Sequence, residues 1–554
     1  MIVAILVLPI LLFLLVAFSP RLFDQGPQWF TLESFDEALT GPLLQGLVNS
    51  LLVGVTTAVV ATAVGFGVAW VLLRTDIRAR PVWTATMFAL LLAPSYLVAL
   101  GWERLIEPAG VLDLLGVGID GFRHLFYGPV GVVVVLAVKG VPFAYLAISS
   151  ALRGLGEEFE SAIRVHGGGP VAALRVVVAL LSPAVWSALA IVFAESVSDF
   201  GVAATLASDA HFPVATFTLY NAVNSFPIRF PVAAAVGWLL MGLAGLVLLA
   251  QSWALRGRSY RVLGGRIRPA RRHHLSLPAH VSTLAALLCL VAAGLGVPAL
   301  GAVSASLIDG LGSLIGGHGL TLANYQRVFS GPALREPLLY SAELAAISAT
   351  ACAVLGIAVA RILSRSGSRL SSRLLDLLLL TAVALPGIVF AAGYIFTYNL
   401  PLTNALGIHL YGTTTLLVMG YLATALPSTS RILLGSVGQV QESLREAGRV
   451  HGAGPMRSWF RTVLPLLARP VLAALVLTFA GTLLELPVSQ LLYPPDHPPI
   501  AVGITKALAN YDYGGGTAME VTAVVLALVV VAVAWGGFHL LAPAGWRHLG
   551  RTRD

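Results

Sequence analysis

The sequence predicts an all-α integral membrane protein with twelve transmembrane helices, and three observations lead there. Of its 554 residues, 57% are hydrophobic and only 11% are charged, whereas soluble domains carry roughly 25% charged residues. Apolar runs of about 20 residues, long enough to span a bilayer core about 30 Å thick, recur along the chain. Polar loop residues repeat in the same order in both halves of the chain. A soluble enzyme is therefore excluded, and the runs are too long and too uniformly apolar for barrel strands.

Each half of the chain contains six predicted spans. The first, Ile2–Phe18, has neither a basic n-region nor a small-residue cleavage site, so we expect a retained helix rather than a secretory signal. The other first-half spans are Leu51–Leu73, Val82–Trp102, Pro129–Ser149, Val178–Ser198 and Pro231–Trp253. The second-half spans are Val281–Leu300, Tyr340–Leu363, Leu374–Phe396, Thr414–Leu434, Leu466–Leu486 and Val521–Leu541.

The charged residues in the loops predict the orientation of these spans. The loop between the sixth and seventh spans carries seven arginines, from Arg256 to Arg272, and no acidic residue. The loops after the first and third spans are acidic. Because arginine-rich loops stay in the cytoplasm, both termini are predicted to be cytoplasmic. The net charge of +8 is thus assigned to membrane orientation rather than to nucleic acid, and Cys289 and Cys352, both in apolar runs, exclude a disulfide framework.

The order of polar residues indicates an internal duplication. Residues 30–42 read FTLESFDEALTGP and residues 320–332 read LTLANYQRVFSGP. Residues 164–167, Arg-Val-His-Gly, recur at 449–452. Because six spans are an even number, the two halves have the same topology and form a parallel repeat about an axis along the membrane normal. We therefore predict a first half at 1–253, a cytoplasmic arginine-rich linker at 254–280, and a second half at 281–554.

Two inward-facing segments, about 151–177 and 435–465, are predicted to form short amphipathic helices. In each, a glycine between helical pieces permits a sharp turn that presents a small helix to another protein. An amphipathic helix on the membrane surface is the alternative interpretation. The residues are Glu160, Ser161, Ala162, Arg164, His166 and Gly167 in the first segment, and Glu446, Ala447, Arg449, His451 and Gly452 in the second.

These segments resemble the EAA loop of ATP-binding-cassette (ABC) importer permeases, in which Glu-Ala-Ala and a later Gly are followed by Leu-Pro. The second copy matches at Glu446, Ala447, Gly452 and Leu464-Pro465. The first departs from the pattern, with Ser161 in place of the glutamate and Ala179 in place of the proline. The resemblance covers essentially the whole chain, and implies the type I importer permease fold with coupling helices that dock on two copies of a cytoplasmic ATPase.

The chain is expected to bind no cofactor and to have no catalytic or metal site of its own. It contains no Gly-x-x-x-x-Gly-Lys-Ser/Thr phosphate loop, so ATP and Mg²⁺ are assigned to the partner ATPase. ATP-driven closure of the ATPase pair would rock the two six-helix bundles and alternate access to a path along the pseudo-two-fold axis.

Three intramembrane charges are candidates for the substrate pathway: Lys139, Asp199 and Glu485. Lys139 can instead snorkel or pair with a carboxylate such as Glu195. Asp199 and Glu485 are repeat-matched and would face each other near the outer opening, where they can receive a cation or cap helix ends. Matched prolines are expected to kink helices and shape the path; they are Pro94, Pro142, Pro386 and Pro427.

The duplicated layout resembles the ferric-iron uptake permeases of bacterial binding-protein-dependent systems. An external binding protein then delivers iron(III), with thiamine or phosphonate as the alternative substrates. A functional alternative of another class is an ion-coupled secondary transporter with two six-helix halves, which would need titratable groups in mid-membrane and no docking loops.

Overall fold

The computed structural model describes residues 8–541 except 109–110, 115, 157–164, 256–271, 309–319, 366–369, 441–442, 444–449 and 451–453. Across this part of the chain, every regular element is a helix. In addition to these helices, Thr75 and His273 form an isolated parallel β-bridge. The predicted all-α class is therefore confirmed.

The chain folds into two compact bodies. Body A comprises Ala17–Arg21 and Pro27–Ser304, and body B comprises Met1–Val16, Leu22–Gly26 and Ala305–Asp554. The first helix of each predicted repeat therefore belongs to the body that contains the rest of the other repeat. The division into halves at 1–253 and 281–554 follows from the repeat in the sequence, and it stays a prediction.

Body A is built on a central group of long helices, in which α3 packs along α8 and α10. Pro42, Pro129 and Pro183 lie in the first turns of these three helices, where the missing N–H leaves no helical hydrogen bond unmade. Its α-helices are α2 Glu33–Ala38, α3 Gly41–Arg74, α4 Arg80–Leu92, α5 Ser95–Ile106, α6 Val111–Leu114, α7 Asp120–Phe126, α8 Pro129–Arg153, α9 Pro170–Leu180, α10 Ser182–Ser198, α11 Ala215–Asn224, α12 Phe230–Ala254, α13 Leu277–Val291 and α14 Val297–Ser306, with π-helical turns at Ala203–Ala207 and Ala292–Gly296.

Body B repeats this arrangement, with α16 packed along α20 and α22. Its α-helices are α1 Leu8–Val16, α15 Ala323–Ser330, α16 Pro332–Arg365, α17 Leu370–Ala384, α18 Gly387–Tyr398, α19 Pro401–Ala405, α20 Thr414–Gly438, α21 Pro455–Ser458, α22 Leu464–Leu483, α23 Pro487–Leu492, α24 Ile500–Ala509 and α25 Tyr513–Leu541, with a π-helical turn at Trp459–Val463.

The repeat predicted from residues 30–42 and 320–332 is visible in matched local geometry. Thr31 accepts a hydrogen bond from the backbone N–H of Glu33 at 3.1 Å, and Thr321 accepts one from Ala323 at 3.0 Å. Each of these turns opens the short helix that precedes a 34-residue helix, α3 or α16. The same residue types therefore direct the same chain path in both halves.

The helix α1 packs on α18 within body B. The rings of Phe13 and Phe396 lie 6.2 Å apart, and the Thr397 hydroxyl donates to the carbonyl of Pro9 at 3.4 Å. Both partners lie more than 380 residues from α1 in sequence, with Thr397 separated from Pro9 by 388 residues. This long-range contact assigns α1 to body B.

The corresponding contact in body A joins α5 to the segment α13–α14. The indole N–H of Trp102 donates to the carbonyl of Ala293 at 2.8 Å. A Cβ atom added to Gly301 would lie 1.8 Å from the carbonyl oxygen of Gly101, so only glycine permits this backbone approach. The first helix of each repeat thus completes a body built mainly from the other repeat.

Eight helical segments of the described chain are long and apolar enough to cross a bilayer, or nine if the bent pair α4–α5 counts as one span. They are α3, α8, α12, α13–α14, α16, α20, Trp459–Leu483 and α25. Three predicted spans are divided here: Val82–Trp102 into α4 and α5, Val178–Ser198 into α9 and α10, and Leu374–Phe396 into α17 and α18. The multi-span membrane class is supported, whereas the number twelve stays a prediction.

Candidate functional site

Charged and polar side chains gather at the break between α4 and α5 in body A. Pro94 stands between the two helices with an extended backbone (ψ 139°), and the helix axes are bent by 95°. A break at membrane depth leaves helix-end carbonyl and N–H groups that lipid cannot satisfy, so protein groups must do so. Pro386 stands at the matched position between α17 and α18, with ψ 139°. Pro142 and Pro427, by contrast, lie inside the helices α8 and α20.

Lys139 supplies the hydrogen-bond donor for the backbone carbonyls at the end of α4. Its Nζ donates to the carbonyl oxygens of Leu90 at 2.9 Å and Leu91 at 3.0 Å, and also to that of Ala93. A cation at a helix C-terminus is favourable because the helix dipole concentrates negative partial charge there. Lys139 therefore stabilises the broken helix through backbone contacts, in addition to its electrostatic attraction to Asp199 and Glu195.

Asp199 lies at the other side of the same break. Its Oδ1 accepts the backbone N–H of Val202 at 2.8 Å, and its carboxylate is hydrogen-bonded to the side chain of Ser95, the first residue of α5. Gly201 makes this approach possible, because an added Cβ would lie 2.4 Å from the Ser95 hydroxyl. An anion thus lies at the start of α5 and a cation at the end of α4, which is the arrangement that helix dipoles favour.

Glu195 lies one helical turn before Asp199 and differs from it in exposure. Its side chain is exposed, and it accepts no hydrogen bond from the described residues, although it interacts electrostatically with Lys139 and Asp199. The sequence analysis considers Glu195 as an ion-pair partner for Lys139. Its position in the apolar helix α10 makes it the accessible carboxylate of this charged group.

The matched position in body B has the acid without the cation. Glu485 accepts the backbone N–H groups of Val488 at 2.9 Å and Ser489 at 3.0 Å, and so caps α23. Thr424 occupies the place of Lys139, and its hydroxyl donates to Gly420 and Tyr421 of its own helix. The two halves therefore share the broken helix and the acidic cap, and Lys139 distinguishes body A.

A second charged group lies at the end of α5, among residues that the sequence analysis does not propose as site residues. Arg104 donates to Glu107 at 2.7 Å. Burial raises the pKa of the Glu107 carboxyl and that of Asp209, and the two carboxyls also repel each other electrostatically. No three His, Cys, Asp or Glu side chains among the described residues have the geometry of a metal site.

The predicted coupling segments are described only in part. Glu160, Ser161, Ala162 and Arg164 lie outside the described residues, as do Glu446, Ala447, Arg449, His451 and Gly452. His166 is exposed, and Gly167 adopts φ +73°, the left-handed conformation that the turn hypothesis requires.

Two valines of these segments project outward. Val165 is 83% exposed and Val450, its repeat-matched counterpart, is 84% exposed. An apolar side chain is thus exposed at the same position of both repeats. The repeated Arg-Val-His-Gly could have pointed to these valines, because each lies between an arginine and a histidine that are named as candidate coupling residues.

Arg74 joins the end of α3 to the start of the first coupling segment. It is 1% exposed, and its Nη2 donates to the carbonyl of Leu155 at 2.8 Å and of Leu152 at 3.4 Å. Its own carbonyl accepts the N–H of His273 at 2.8 Å. A buried guanidinium thus closes the carbonyl end of α8 where the chain leaves toward residue 157.

The beginning of α13 is held next to this site by Asp76. The carboxylate accepts the N–H of Leu275 at 3.1 Å and contacts the His274 ring at 2.8 Å. These hydrogen bonds, from Leu275 first and His274 second, lower the pKa of Asp76. The end of the arginine-rich linker is therefore fastened to the loop that follows α3.

The long apolar helices and the broken spans of the described chain are typical of a polytopic membrane protein. Residues 352–544 match the family described as binding-protein-dependent transport system inner membrane component. The chain is 30% identical over 208 residues to the molybdenum transport system permease protein of Mycobacterium bovis, covering 37% of this chain and 76% of that protein. The chain belongs to this family.

Two relatives resemble most of the chain. The ferric transport system permease protein of Actinobacillus pleuropneumoniae is 24% identical over 511 residues, covering 89% of this chain and 71% of that protein. A putative ferric transport system permease protein of Haemophilus influenzae is 25% identical over 452 residues, covering 79% and 68%. Family membership confirms the ABC importer permease hypothesis and sets aside the ion-coupled secondary transporter.

Proposed function

We propose that this chain is the fused permease of an importer for iron(III), in which both halves of one transport path are carried by one polypeptide. The observation that supports this most is the resemblance to ferric transport system permeases of two organisms over 79% and 89% of the chain. Such coverage includes both repeats, so it concerns the whole path rather than one conserved loop.

The proposed assembly has a substrate-binding protein on the outside and two copies of an ATPase in the cytoplasm. The finer architecture belongs to this proposal: twelve spans, two parallel repeats of the type I importer fold and cytoplasmic termini. The chain itself needs no cofactor, since ATP and Mg²⁺ are held by the ATPase. Each coupling segment engages one ATPase copy, with the turn at Gly167 and its counterpart Gly452 presenting the short helix.

Coupling depends on how firmly the segment is tied to the membrane helices. Arg74 connects the end of α3 with the carbonyls of Leu152 and Leu155. A push on the first coupling segment is therefore transmitted to both α3 and α8, which pack along each other through the membrane. Rigid transmission converts closure of the ATPase pair into movement of the bundle.

Glu195 is the residue that we assign to the substrate path, with Lys139 and Asp199 beside it. A carboxylate on an apolar helix is costly against lipid, so an exposed one is expected to face a water-filled path. Carboxylate oxygen is a hard ligand suited to a transiently passing Fe³⁺. Asp199 and Glu485 are proposed to act from the helix caps, where they set the negative potential of the path without leaving their backbone partners.

The direct experiment is uptake into proteoliposomes that contain the permease, its ATPase and its binding protein. Radiolabelled iron(III) should accumulate only with ATP inside, whereas labelled thiamine and phosphonate should not. Glu195→Gln should reduce iron uptake while the complex assembles normally. Glu336→Gln, an exposed acid near the start of α16, is the matched control. Uptake unchanged by Glu195→Gln contradicts the pathway assignment, and absence of iron uptake by the wild-type complex contradicts the substrate.

A second candidate substrate is an oxyanion such as molybdate. The supporting observations are the 30% identity to a molybdenum permease over 208 residues and the cation Lys139 at the break in body A. The resemblance covers 37% of this chain, whereas the ferric relatives cover both repeats. Labelled molybdate in the same proteoliposomes distinguishes the two, because only one of the labels should accumulate.

A further inference from the structure

Body B has a groove on one side of its long helices that plays no part in the proposed transport path. It has a volume of about 780 Å³ and runs between α16 and the helix that begins at Trp459. Its walls are almost entirely apolar, and include Val354, Ala358 and Leu475. All of its lining residues belong to body B, so the groove is complete within that body.

The groove is open to the surroundings rather than closed by side chains. Val354 is 64% exposed, Ile362 46% and Phe460 56%. From Thr350 to Ile362 the wall formed by α16 is about 18 Å long, at 1.5 Å per helical residue. One leaflet of a bilayer core is about 15 Å deep, so the groove has the length of one acyl chain.

One end of the groove is cationic. The guanidinium of Arg361 lies over the Trp459 ring at 5.4 Å, and both side chains line the groove. When an arginine stacks on an aromatic ring, the N–H groups at the edge of its guanidinium stay free to donate to an anion. The planar guanidinium matches the geometry of a phosphate. The polar end and the apolar walls thus match the two parts of a phospholipid.

The sequence around the groove strengthens this charge preference. Residues 344–375 contain four arginines and no acid, and residues 447–484 also contain four arginines and no acid. Arg461, in the π-helical turn beside Trp459, is exposed. A phosphate at this end would therefore meet only positive side chains from the two helices that form the groove.

We propose that this groove is a binding site for an anionic phospholipid, with one acyl chain along α16 and α22 and the phosphate at Arg361. The proposed orientation of the chain places this site in the cytoplasmic leaflet. No other part of the proposal depends on the proposed function. It exists once per chain, because the first repeat has Val71 and Leu174 at the positions that correspond to Arg361 and Trp459. The lipid lies against the π-helical turn Trp459–Val463, which leads from the second coupling segment into α22.

Native mass spectrometry of the purified full chain tests this proposal. The probes are dioleoyl phosphatidylglycerol and dioleoyl phosphatidylcholine, which have identical acyl chains and differ in headgroup charge. Both lipids carry the phosphate, but the choline ammonium is repelled by Arg361, so the wild-type chain should retain one phosphatidylglycerol molecule about tenfold more strongly than phosphatidylcholine. Equal retention of the two lipids would overturn the proposal.

Two variants locate the site. Arg361→Gln should abolish the preference for phosphatidylglycerol, and Ala358→Trp, which fills the groove from an exposed position, should reduce retention of both lipids. The matched controls are Arg335→Gln, exposed at the other end of α16, and Val529→Trp, exposed on α25. Monodisperse elution of each variant establishes that it is folded.

The remaining outcomes are decisive as well. Lipid retention that neither Arg361→Gln nor Ala358→Trp alters places the lipid elsewhere and contradicts the proposal. A dimer of the chain that Ala358→Trp separates would show that a second copy, not a lipid, occupies the groove. A chain that retains the lipid as expected but transports no iron in proteoliposomes contradicts the proposed function and leaves this site intact.

Discussion

The Nζ of Lys139 lies 2.9 Å from the carbonyl oxygen of Leu90, so a side chain of α8 caps the end of α4 across 49 residues of sequence. This contact occurs where Pro94 divides a membrane span into two helices bent by 95°. It explains why a lysine is tolerated in an otherwise apolar helix. The cation replaces the hydrogen-bond donors that a continuous helix would have provided.

Replacing Lys139 by Met should destabilise body A by about 1–3 kcal/mol, because buried carbonyls lose their donor. Thermal unfolding of the purified chain in detergent measures the change. Lys506→Met is the matched control, since Lys506 is exposed and its ammonium lies over the Tyr493 ring, 4.3 Å from the centroid. Equal unfolding temperatures for the two variants would refute the capping role of Lys139.

Replacing Arg74 by Ala should uncouple ATP hydrolysis from transport. Without the guanidinium, the carbonyls of Leu152 and Leu155 lose their partner, and the first coupling segment is no longer tied to α3. The ratio of substrate imported to ATP hydrolysed should fall severalfold, while the ATPase still co-purifies. Arg78→Ala, an exposed arginine of the same loop, should leave this ratio unchanged. An unaltered ratio in Arg74→Ala shows that this contact does not transmit movement.

Replacing both Val165 and Val450 by Asp should prevent docking of the ATPase without unfolding the permease. Both side chains are more than four-fifths exposed, at 83% and 84%, so the substitution removes no internal packing. Two charges forced into an apolar interface should cost at least about 3 kcal/mol, or roughly a hundredfold in affinity. Co-purification of the ATPase measures the loss.

The control for this experiment is Val117→Asp, which places a charge on a valine that is 45% exposed in a loop away from the coupling segments. It should leave co-purification unchanged. Full recovery of the ATPase with the double variant at positions 165 and 450 would favour the membrane-surface helix as the role of these segments.

The contact of Asp76 with His274 and Leu275 should make the attachment of α13 sensitive to acid. Its pKa is lowered in the folded protein, so the stabilisation is present above the ordinary value of 3.8 and is lost as the pH falls through the lowered value. Asp76→Asn should reduce the unfolding temperature at pH 7. The difference from wild type should shrink below pH 4 and vanish when Asp76 is protonated. A difference that stays constant from pH 7 to pH 3 would contradict this ionic role.

Several features of the fold could be predicted from residues alone. The long helices α3, α8, α12, α16, α20 and α25 coincide with predicted apolar spans, because hydropathy is summed over about 20 neighbouring residues. The spans at Val82–Trp102 and Leu374–Phe396 are predicted to kink at a proline, but an apolar run contains no record of a bend as large as the 95° between α4 and α5. Pro94 and Pro386 marked the positions but not the size of the disruption.

The candidate site was less accessible to prediction. Asp199 and Glu485 were identified by their repeat-matched spacing, and their helix-capping geometry is one of the two roles considered for them. Glu195 was noted only as a partner because its exposure depends on how α10 packs. Arg74 carried no signal at all, since an arginine at the end of a span resembles an ordinary orienting charge.

The sequence by itself determined the membrane class, and its repeated residues predict the duplication and the two coupling segments, because each of these is written in neighbouring residues or in their repetition. Only the tertiary structure decided which groups satisfy the broken helices and which body each first helix joins. Arg74 meets Leu155 across 81 residues, and Trp102 meets Ala293 across 191. The physical reason is that buried helix ends must find hydrogen-bond partners wherever packing brings them, and local sequence does not specify that meeting.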